Sequence, residues 1–342
     1  MLVLLAAVLG ALIPTTFYVL FVWWLDRYEK EPPWLMAFAF LWGAGPAAVL
    51  SVIFELGIDV PVSSLVGGGA TANLLRVIVY APLVEESLKG IALIVLVLLF
   101  HREFDDVLDG IVYGAMIGFG FAFTENTFAY SIPALSEQGL DTGLGFVLLR
   151  TVVFGANHGF WTGITGAAVG YARLSRDWIR RILVPVGGWS LAVLFHSLHN
   201  ASVTWAQQVV CPGLAGSLVV SWGGVLLLLL VAVSSLRRES RWIERGLAEE
   251  VRQGSLSPQE FDILRSAGQR LQVQWQARSR GGRTASRAVG RYFQCATELA
   301  FKKHHLRSLG DERGNVAEIE RLQTALAAHR ALARPWLRRT KL

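Results

Sequence analysis

Two adjacent glutamates and a lysine lie in the middle of the long apolar segment 74–100. Glu85, Glu86 and Lys89 are its charged side chains, apart from Arg76 near its start. A charge at the centre of a bilayer costs about 2.5–3.5 kcal/mol even on insertion scales. These groups should therefore face a protein interior or a water-filled cavity. On a helix Glu85 and Lys89 share a face, whereas Glu86 points about 100° away. We expect one carboxylate to pair with Lys89 and the other to be free for chemistry.

Other apolar segments carry further carboxylate, imidazole and amide side chains. Glutamates and histidines that meet supply the parts of a hydrolase, since a carboxylate can take a proton from water while imidazoles hold that water, a metal ion or a developing oxyanion. We expect the adjacent glutamates to activate water and two histidines to position it. The predicted catalytic residues are Glu85, Glu86, Glu125, His158, His196 and Asn200.

A metal ion is one way to complete such a site. Neutral His158 and His196 are suitable zinc ligands, and Glu125 is a candidate third, which would leave a fourth position for water. The two histidines are not spaced on one helix, so two segments would have to present them to one point. A metal-free mechanism, in which Glu125 orients a histidine and Asn200 donates a hydrogen bond, is the alternative.

Composition divides the chain into two unlike parts. The protein has 342 residues, is 53% hydrophobic, and its apolar segments end near residue 236. This pattern predicts an all-α polytopic membrane helix bundle over 1–236 and a cytoplasmic helical domain over 237–342. The first part holds 10 Lys/Arg and 15 Asp/Glu, a net charge of −5, and the second holds 22 and 11, a net charge of +11.

Seven apolar windows are long enough to cross a bilayer, which takes about 20 helical residues. The predicted spans are 2–25, 34–57, 74–100, 108–132, 144–171, 182–206 and 214–236. Lys and Arg occur in the first, third and fifth loops between them, at Arg27, Lys30, Arg102, Arg173, Arg176, Arg180 and Arg181. The positive-inside rule then places the N-terminus outside and the C-terminal domain in the cytoplasm. Cys211 and Cys295 fall on opposite sides, so no disulfide is expected.

The candidate residues have similar predicted depths in the membrane. With ~1.5 Å rise per residue, Glu85, Glu125, His158 and His196 lie about 11, 7, 14 and 10 residues from the outer ends of their spans. Four polar groups on four helices thus share one level in the outer half of the membrane. Independent core polar groups have no reason to agree in depth, which favours a common site.

Glycines recur at intervals of three or four residues in the fourth and fifth spans. They are Gly110, Gly114, Gly118, Gly159, Gly163, Gly166 and Gly170. Small residues at this spacing let neighbouring helices approach closely in lipid. The seventh span has no ionisable side chain and is predicted to be an anchoring helix.

The C-terminal part has its own helical signals. Ser257 to Glu260 is a capping box with Pro258 at the first helical position. We expect a linker over 276–283, followed by helices over 284–309 and 316–333. The positive charge is typical of a domain that contacts an anionic lipid surface or a regulatory protein, and a solvated helical domain without such a partner is the alternative. The sequence contains no nucleic-acid motif. The charged first loop, 26–34, is predicted to be a solvated turn, and a packing or docking role against the other cytoplasmic loops is the alternative.

Two other classes of function use the same residues. Intramembrane Glu and His side chains also form proton or ion relays in transporters, and they can be satisfied polar groups in a non-catalytic scaffold. Transporters usually show internal repeats with interrupted helices in matching halves. The motifs here do not pair between halves, which favours the hydrolase.

The ordered set of motifs resembles one known family. Residues 85–89, Glu-Glu-Ser-Leu-Lys, resemble the Glu-Glu-x-x-Lys motif of the PrsW family of bacterial intramembrane proteases. Further blocks resemble that family in the same order, and they lie at 26–32, 109–114, 118–126 with Tyr130, 158–166 and 196–200. The resemblance covers residues 17–205. The chain is also distantly similar to the CAAX prenyl proteases and the Abi proteins.

The resemblance implies a multi-pass endopeptidase of the bacterial cytoplasmic membrane with a membrane-embedded protein substrate. Members of the family are associated with the first cut in a membrane-anchored anti-sigma factor, on its extracytoplasmic side. The outer-half depth of the candidate residues agrees with that position. Because the family is classed with metalloproteases while its relatives are argued to be glutamate-dependent, the resemblance leaves zinc and metal-free chemistry both open.

Overall fold

A computed structural model describes residues 1–101, 103–104, 106–311 and 314–337, and the regular elements in these residues are all helices. The predicted all-α class is therefore confirmed. The α-helices are α1 (Leu2–Leu25), α2 (Pro33–Trp42), α3 (Ala48–Val66), α4 (Gly69–Leu75), α5 (Ala81–Leu99), α6 (Val107–Thr124), α7 (Ile132–Leu148), α8 (Asn157–Arg173), α9 (Trp178–Ala206), α10 (Val210–Arg252), α11 (Pro258–Arg265), α12 (Ala267–Leu309) and α13 (Asn315–Leu337). Wider π-helical turns occur at Gly43–Ala47, Arg76–Tyr80, Glu125–Ser131 and Leu149–Val153.

The chain forms two compact units. Unit 1 comprises Met1–Leu25 and Glu31–Ala232, and it holds the six predicted catalytic residues. Unit 2 comprises Asp26–Lys30 and the described part of Val233–Leu342. The sequence-based boundary after residue 236 falls inside α10.

Five helical stretches in the described residues are long and apolar enough to cross a membrane. They are Leu2–Leu25, Pro33–Val66, Val107–Arg173, Trp178–Ala206 and Val210–Arg252. The third predicted span, 74–100, is not among them, because α5 carries three charged side chains. The fourth and fifth predicted spans lie in the single stretch Val107–Arg173. The polytopic class is confirmed, and the count of seven spans remains a prediction. Arg102, used for the topology, lies outside the described residues.

The predicted close approach of glycine-bearing helices is confirmed for α6 and α8. A Cβ atom on Gly110 would lie 2.0 Å from the carbonyl oxygen of Gly166, and one on Gly118 would lie 2.1 Å from that of His158. Two helix backbones therefore touch along this line, and any side chain larger than hydrogen would push them apart. The contact at Gly118 also fixes the level at which α8 presents His158 to α6.

Unit 2 follows its capping signals but not the predicted linker. The capping box is confirmed, since Ser257 Oγ accepts from Glu260 N at 3.3 Å and Glu260 Oε2 accepts from Ser257 N at 2.7 Å. The linker over 276–283 is wrong, because α12 runs through it with one kink at Gly282, where φ is 71°. Val273 and Ala277, one turn apart, are fully buried. This apolar spacing keeps the segment helical.

The first loop is not a solvated turn. Asp26 is buried, and Asp26–Lys30 belongs to unit 2. Arg270 donates to the carbonyl oxygen of Tyr28 at 3.1 Å, and Lys30 N donates to Gln294 Oε1 at 3.3 Å. Burial lowers the pKa of Arg270 to about 10. The charged loop thus packs into the helices of unit 2 instead of ending in water.

The α6–α8 contact gives a stability prediction. We expect Gly110→Ala to destabilise the protein by about 1–3 kcal/mol, because the added methyl must displace a backbone carbonyl. The matched control is Gly223→Ala in α10, where a Cβ meets nothing within 4 Å. Thermal melting in detergent should show a lower midpoint for Gly110→Ala and no loss for Gly223→Ala. Equal midpoints for both variants would contradict the packing.

Candidate active site

Lys89 on α5 is the central cation of the site. Its side chain is fully buried, and Nζ donates to Glu86 Oε1 at 2.6 Å and to Glu85 Oε2 at 3.4 Å. The expectation that only one carboxylate would pair with Lys89 is wrong. Glu86 and Glu85 lie three and four residues before Lys89, so both are on the same side of the helix as Lys89, and the long lysine side chain reaches both. The nearer partner is Glu86.

Glu86 is held from three directions. Besides Lys89, it accepts from Thr162 Oγ1 at 3.2 Å, and its Oε1 lies 3.1 Å from Nδ1 of His196. The carboxylate accepts, so His196 donates its Nδ1–H and keeps Nε2 as an acceptor. Trp161 stacks on the His196 ring with centroids 3.8 Å apart. Side chains from α5, α8 and α9 therefore fix this glutamate and this histidine together.

His158 on α8 lies between a cation and a carboxylate. Its Nδ1 is 2.9 Å from Lys89 Nζ, and its Nε2 is 3.0 Å from Glu125 Oε2. An ammonium can only donate, so Nδ1 accepts and Nε2–H donates to Glu125. Both ring nitrogens are thus engaged, and the hydrogen bond to Glu125 fixes the orientation of the His158 ring.

Arg150 is a site residue that the sequence analysis does not single out. It lies in the π-helical turn Leu149–Val153, and its Nη2 donates to Glu125 Oε2 at 3.0 Å. The guanidinium also stacks 3.7 Å from the ring centroid of Tyr130. A signal exists in the sequence, because Arg150 is the only Lys or Arg inside the predicted span 144–171.

Asn200 lies outside the hydrogen-bonded cluster. Its Nδ2 donates to the carbonyl oxygen of Val77 at 2.8 Å, within the π-helical turn that precedes α5. It is one helical turn, about 6 Å, beyond His196 on α9. The side chain instead lines a cavity that adjoins the cluster.

His199 is a second buried histidine on α9, outside the predicted set. Its Nδ1 lies 2.9 Å from Ser217 Oγ, 3.1 Å from Ser221 Oγ and 3.2 Å from Asn157 Nδ2. Trp161 separates it from His196, with its ring 5.6 Å from that of His199. The two serines are one turn apart on α10, so this group ties the predicted anchoring helix to α9.

A cavity of about 840 Å³ lies beside the cluster. Its polar lining includes the carboxylates of Glu85 and Glu125. It is also lined by Val49, Val52 and Phe128, which are 57%, 58% and 58% exposed. The cavity therefore opens at the surface between apolar side chains of predicted membrane segments.

Four side chains of the cluster offer ligand atoms for a divalent cation. Glu85, Glu86, His158 and His196 each offer one, and these atoms all lie within 4.8 Å of one another. The two predicted histidine ligands are in this set, whereas Glu125 contacts His158 from outside it. Carboxylate and imidazole groups fit zinc. The ammonium of Lys89 lies within 3.4 Å of atoms of three of the four residues. A metal ion and Lys89 would thus compete for the same ligands.

This competition predicts how zinc binding responds to Lys89. Removing the ammonium and its aliphatic stem in Lys89→Ala should raise zinc affinity about tenfold or more, since the like charge is removed and two carboxylates lose their counter-ion. The double variant Lys89→Ala/His196→Ala should lose the gain, which separates this site from surface zinc. Equilibrium dialysis with elemental analysis measures both. Unchanged affinity in Lys89→Ala would show that Lys89 does not compete.

These observations define a class: a helical membrane protein with a buried carboxylate–histidine centre beside a cavity. The chain belongs to the PrsW family, described as PrsW family intramembrane metalloprotease, whose match covers residues 31–234. The resemblance inferred from the motifs is confirmed. Most of unit 2, from residue 235 onward, lies outside the match.

Curated relatives named Protease PrsW support this assignment. The chain is 30% identical over 123 residues to that of Halalkalibacterium halodurans, covering 36% of this chain and 52% of the relative. It is 30% identical over 155 residues to that of Bacillus subtilis strain 168, covering 44% and 62%. It is 26% identical over 208 residues to that of Oceanobacillus iheyensis, covering 61% and 84%. The chain thus spans 52% to 62% of the first three relatives it matches. No solved structure matches it significantly.

Proposed function

We propose that this protein is an intramembrane endopeptidase that hydrolyses a peptide bond of a membrane-anchored protein. The observation that carries the proposal is the buried cluster of Glu85, Glu86, His158 and His196, of which Glu85 lines the adjoining cavity. Family membership supports the same reaction class. An isolated polar core would need neither a cavity nor two adjacent carboxylates.

The two adjacent glutamates have different surroundings, which supports different roles for them. Glu86 is 1% exposed and accepts from Lys89, Thr162 and His196, so its oxygens are committed. Glu85 lines the cavity, and its hydrogen bond with Lys89 is longer, at 3.4 Å. Glu85 is the general base, and Glu86 holds Lys89 and His196 in place.

The proposed hydrolysis uses one base, one water molecule and two groups that donate or accept hydrogen bonds. Glu85 takes a proton from a water molecule as the water oxygen attacks the carbonyl carbon of the substrate. His196 Nε2 accepts a hydrogen bond from the same water and orients it. Asn200 uses one amide hydrogen for Val77 and donates the other to the oxyanion. Glu85 finally gives its proton to the nitrogen of the leaving amine, and the C–N bond breaks.

The remaining charges hold this arrangement. Glu125, fixed by Arg150, orients His158, and His158 accepts from Lys89. Zinc, when bound, would be held by Glu85, Glu86, His158 and His196, and it would supply Lewis acidity and a more acidic bound water. We propose the metal-free form, because Lys89 already brings a positive charge to the centre of those ligands.

The position of the cavity suggests how the substrate arrives. Its opening lies beside Val52 on α3 and Phe128 in the turn Glu125–Ser131, both exposed and apolar. A substrate segment in the bilayer reaches it laterally, without crossing water. We propose a bacterial cytoplasmic membrane location and cleavage in the outer half of the membrane, with an anti-sigma factor as the natural substrate.

Unit 2 carries the basic surface expected of a partner site. Five arginines around the kink of α12 are exposed, and the described residues offer them no ion pair; they are Arg278, Arg280, Arg283, Arg287 and Arg291. We propose that this surface meets an anionic partner on the cytoplasmic side, either anionic lipid or a regulatory protein.

Cleavage by variants tests the assignment. In purified, folded protein with a reporter membrane substrate, Glu85→Gln, Glu86→Gln and His196→Ala should each reduce the rate by about 10²-fold or more, since general acid–base groups contribute that much. The control is Glu250→Gln, which alters another buried, lysine-paired glutamate in unit 2. It should cleave normally.

One result would count against the assigned residues, and another would count against the protease itself. Full cleavage by all three variants would remove these residues from the mechanism. Ion flux into proteoliposomes that depends on Glu125 or His158, with no proteolysis in the same preparation, would support a transporter instead.

Membrane topology is tested by cysteine accessibility. Cys211 is exposed, whereas Cys295 is buried, and burial raises the pKa of its thiol to about 11, so it stays protonated and unreactive near pH 8. An inside reporter should therefore be placed at exposed Arg278 as Arg278→Cys, with Cys295 replaced by serine. An impermeant maleimide should label Cys211 in intact cells and the new cysteine only after lysis. Labelling of both in intact cells would contradict the predicted topology of seven spans with the N-terminus outside and the C-terminus in the cytoplasm.

A further inference from the structure

The cavity has a second polar wall, on α3, away from the carboxylate–histidine cluster. Ser51 and Glu55 are one turn apart on α3, and both line the cavity. Ser51 is buried, and its Oγ has no hydrogen-bond partner in the described part of the chain. A buried hydroxyl without a partner costs free energy, so one that faces a cavity points to a ligand.

Glu55 differs from the acidic residue next to it. Asp59, one turn further on, accepts from Tyr80 OH at 2.5 Å. Among the described residues, Glu55 takes part in no hydrogen bond or ion pair. Arg76 also lines the cavity, but it donates to Asn73 Oδ1 at 2.7 Å. An unpaired carboxylate in a membrane segment is expensive and marks a functional position. Its natural complement is a cationic group brought by the substrate.

The spacing along α3 relates this wall to the cluster. Ala48 packs against Phe121, and Lys89 Nζ lies 4.0 Å from the centroid of that ring. Glu55 is two turns beyond Ala48, roughly 10 Å along the helix axis at ~1.5 Å per residue. An extended peptide advances ~3.3 Å per residue, so this distance corresponds to roughly three residues.

We propose that Ser51 and Glu55 form a substrate subsite that receives an unwound segment with a basic side chain roughly three residues from the scissile bond. Ser51 Oγ hydrogen-bonds to the main chain of that segment, and the Glu55 carboxylate pairs with its lysine or arginine. This subsite rests on the proposed protease function and defines which membrane proteins are cleaved.

The test uses a single-pass reporter with Lys, Gln or Glu placed in turn at positions two to four residues from the cleaved bond. For wild-type protein we expect the best Lys substrate to be preferred about tenfold over its Gln counterpart, mainly through KM, as for a desolvated charge pair. Glu55→Gln should remove the preference, and Glu55→Lys should shift it to the Glu substrate. Asp59→Asn, the matched control, should keep the preference for Lys.

Binding is measured separately, so that the two proposals can fail independently. A photocrosslinker at position 52 in the Glu85→Gln background should capture the Lys substrate more than the Gln substrate, and less so with Glu55→Gln added. Cleavage without any charge preference would overturn the subsite and leave the protease standing. Charge-selective crosslinking without cleavage by wild-type protein would do the reverse.

Discussion

The charge balance of the buried cluster is the constraint on which the rest of unit 1 depends. Within the described residues, the carboxylates of Glu85, Glu86 and Glu125 are paired with Lys89 and Arg150, and each contact is a hydrogen bond of 3.4 Å or less. Removing one partner of a buried ion pair typically costs about 3–5 kcal/mol, because the other charge is left uncompensated. The helices that carry these residues must therefore keep their mutual positions. The glycine contacts between α6 and α8 serve this requirement, because they bring the backbone of His158 against Gly118, and so place its ring near α5.

The π-helical turns lie where this arrangement needs them. One ends just before α5 and offers the Val77 carbonyl to Asn200, a second begins with Glu125, and a third contains Arg150. A π-helical turn changes the direction of the side chains that follow it and is common at functional positions. In this chain such turns let segments that also have to span an apolar phase aim polar groups at a common point.

Sequence reasoning finds those parts of the site that depend on hydrophobic context. Charged and polar residues in apolar windows stand out, and similar predicted depths on four helices are enough to predict that Glu85, Glu125, His158 and His196 lie together. Sequence reasoning does not find contacts that depend on the rotation of a helix about its own axis, because the hydrophobic pattern does not define that rotation. Arg150 is such a case, and so is the Asn200 hydrogen bond to a backbone carbonyl. In unit 2, the glycine and arginine content of residues 276–283 suggests a linker, whereas the structure has a helix there with one kink at Gly282. There, burial of Ala277 outweighs local composition.

Adjacent glutamates on one helix give the site a way to do chemistry without changing its total charge. Because they differ in direction by about 100°, one can be committed to structure while the other faces a substrate. In the proposed mechanism, the negative charge of Glu85 passes to the oxyanion of the intermediate when Glu85 takes a proton from water. Lys89 therefore keeps two negative partners throughout, namely Glu86 at 2.6 Å and one further negative charge whose position alone moves. In a medium of low dielectric, a step that moves charge over a short distance costs far less than one that creates it. A lysine between the two carboxylates thus suits the proposed hydrolysis inside an apolar phase, because an ionised and immobile Glu86 keeps the ammonium paired while Glu85 acts as the base.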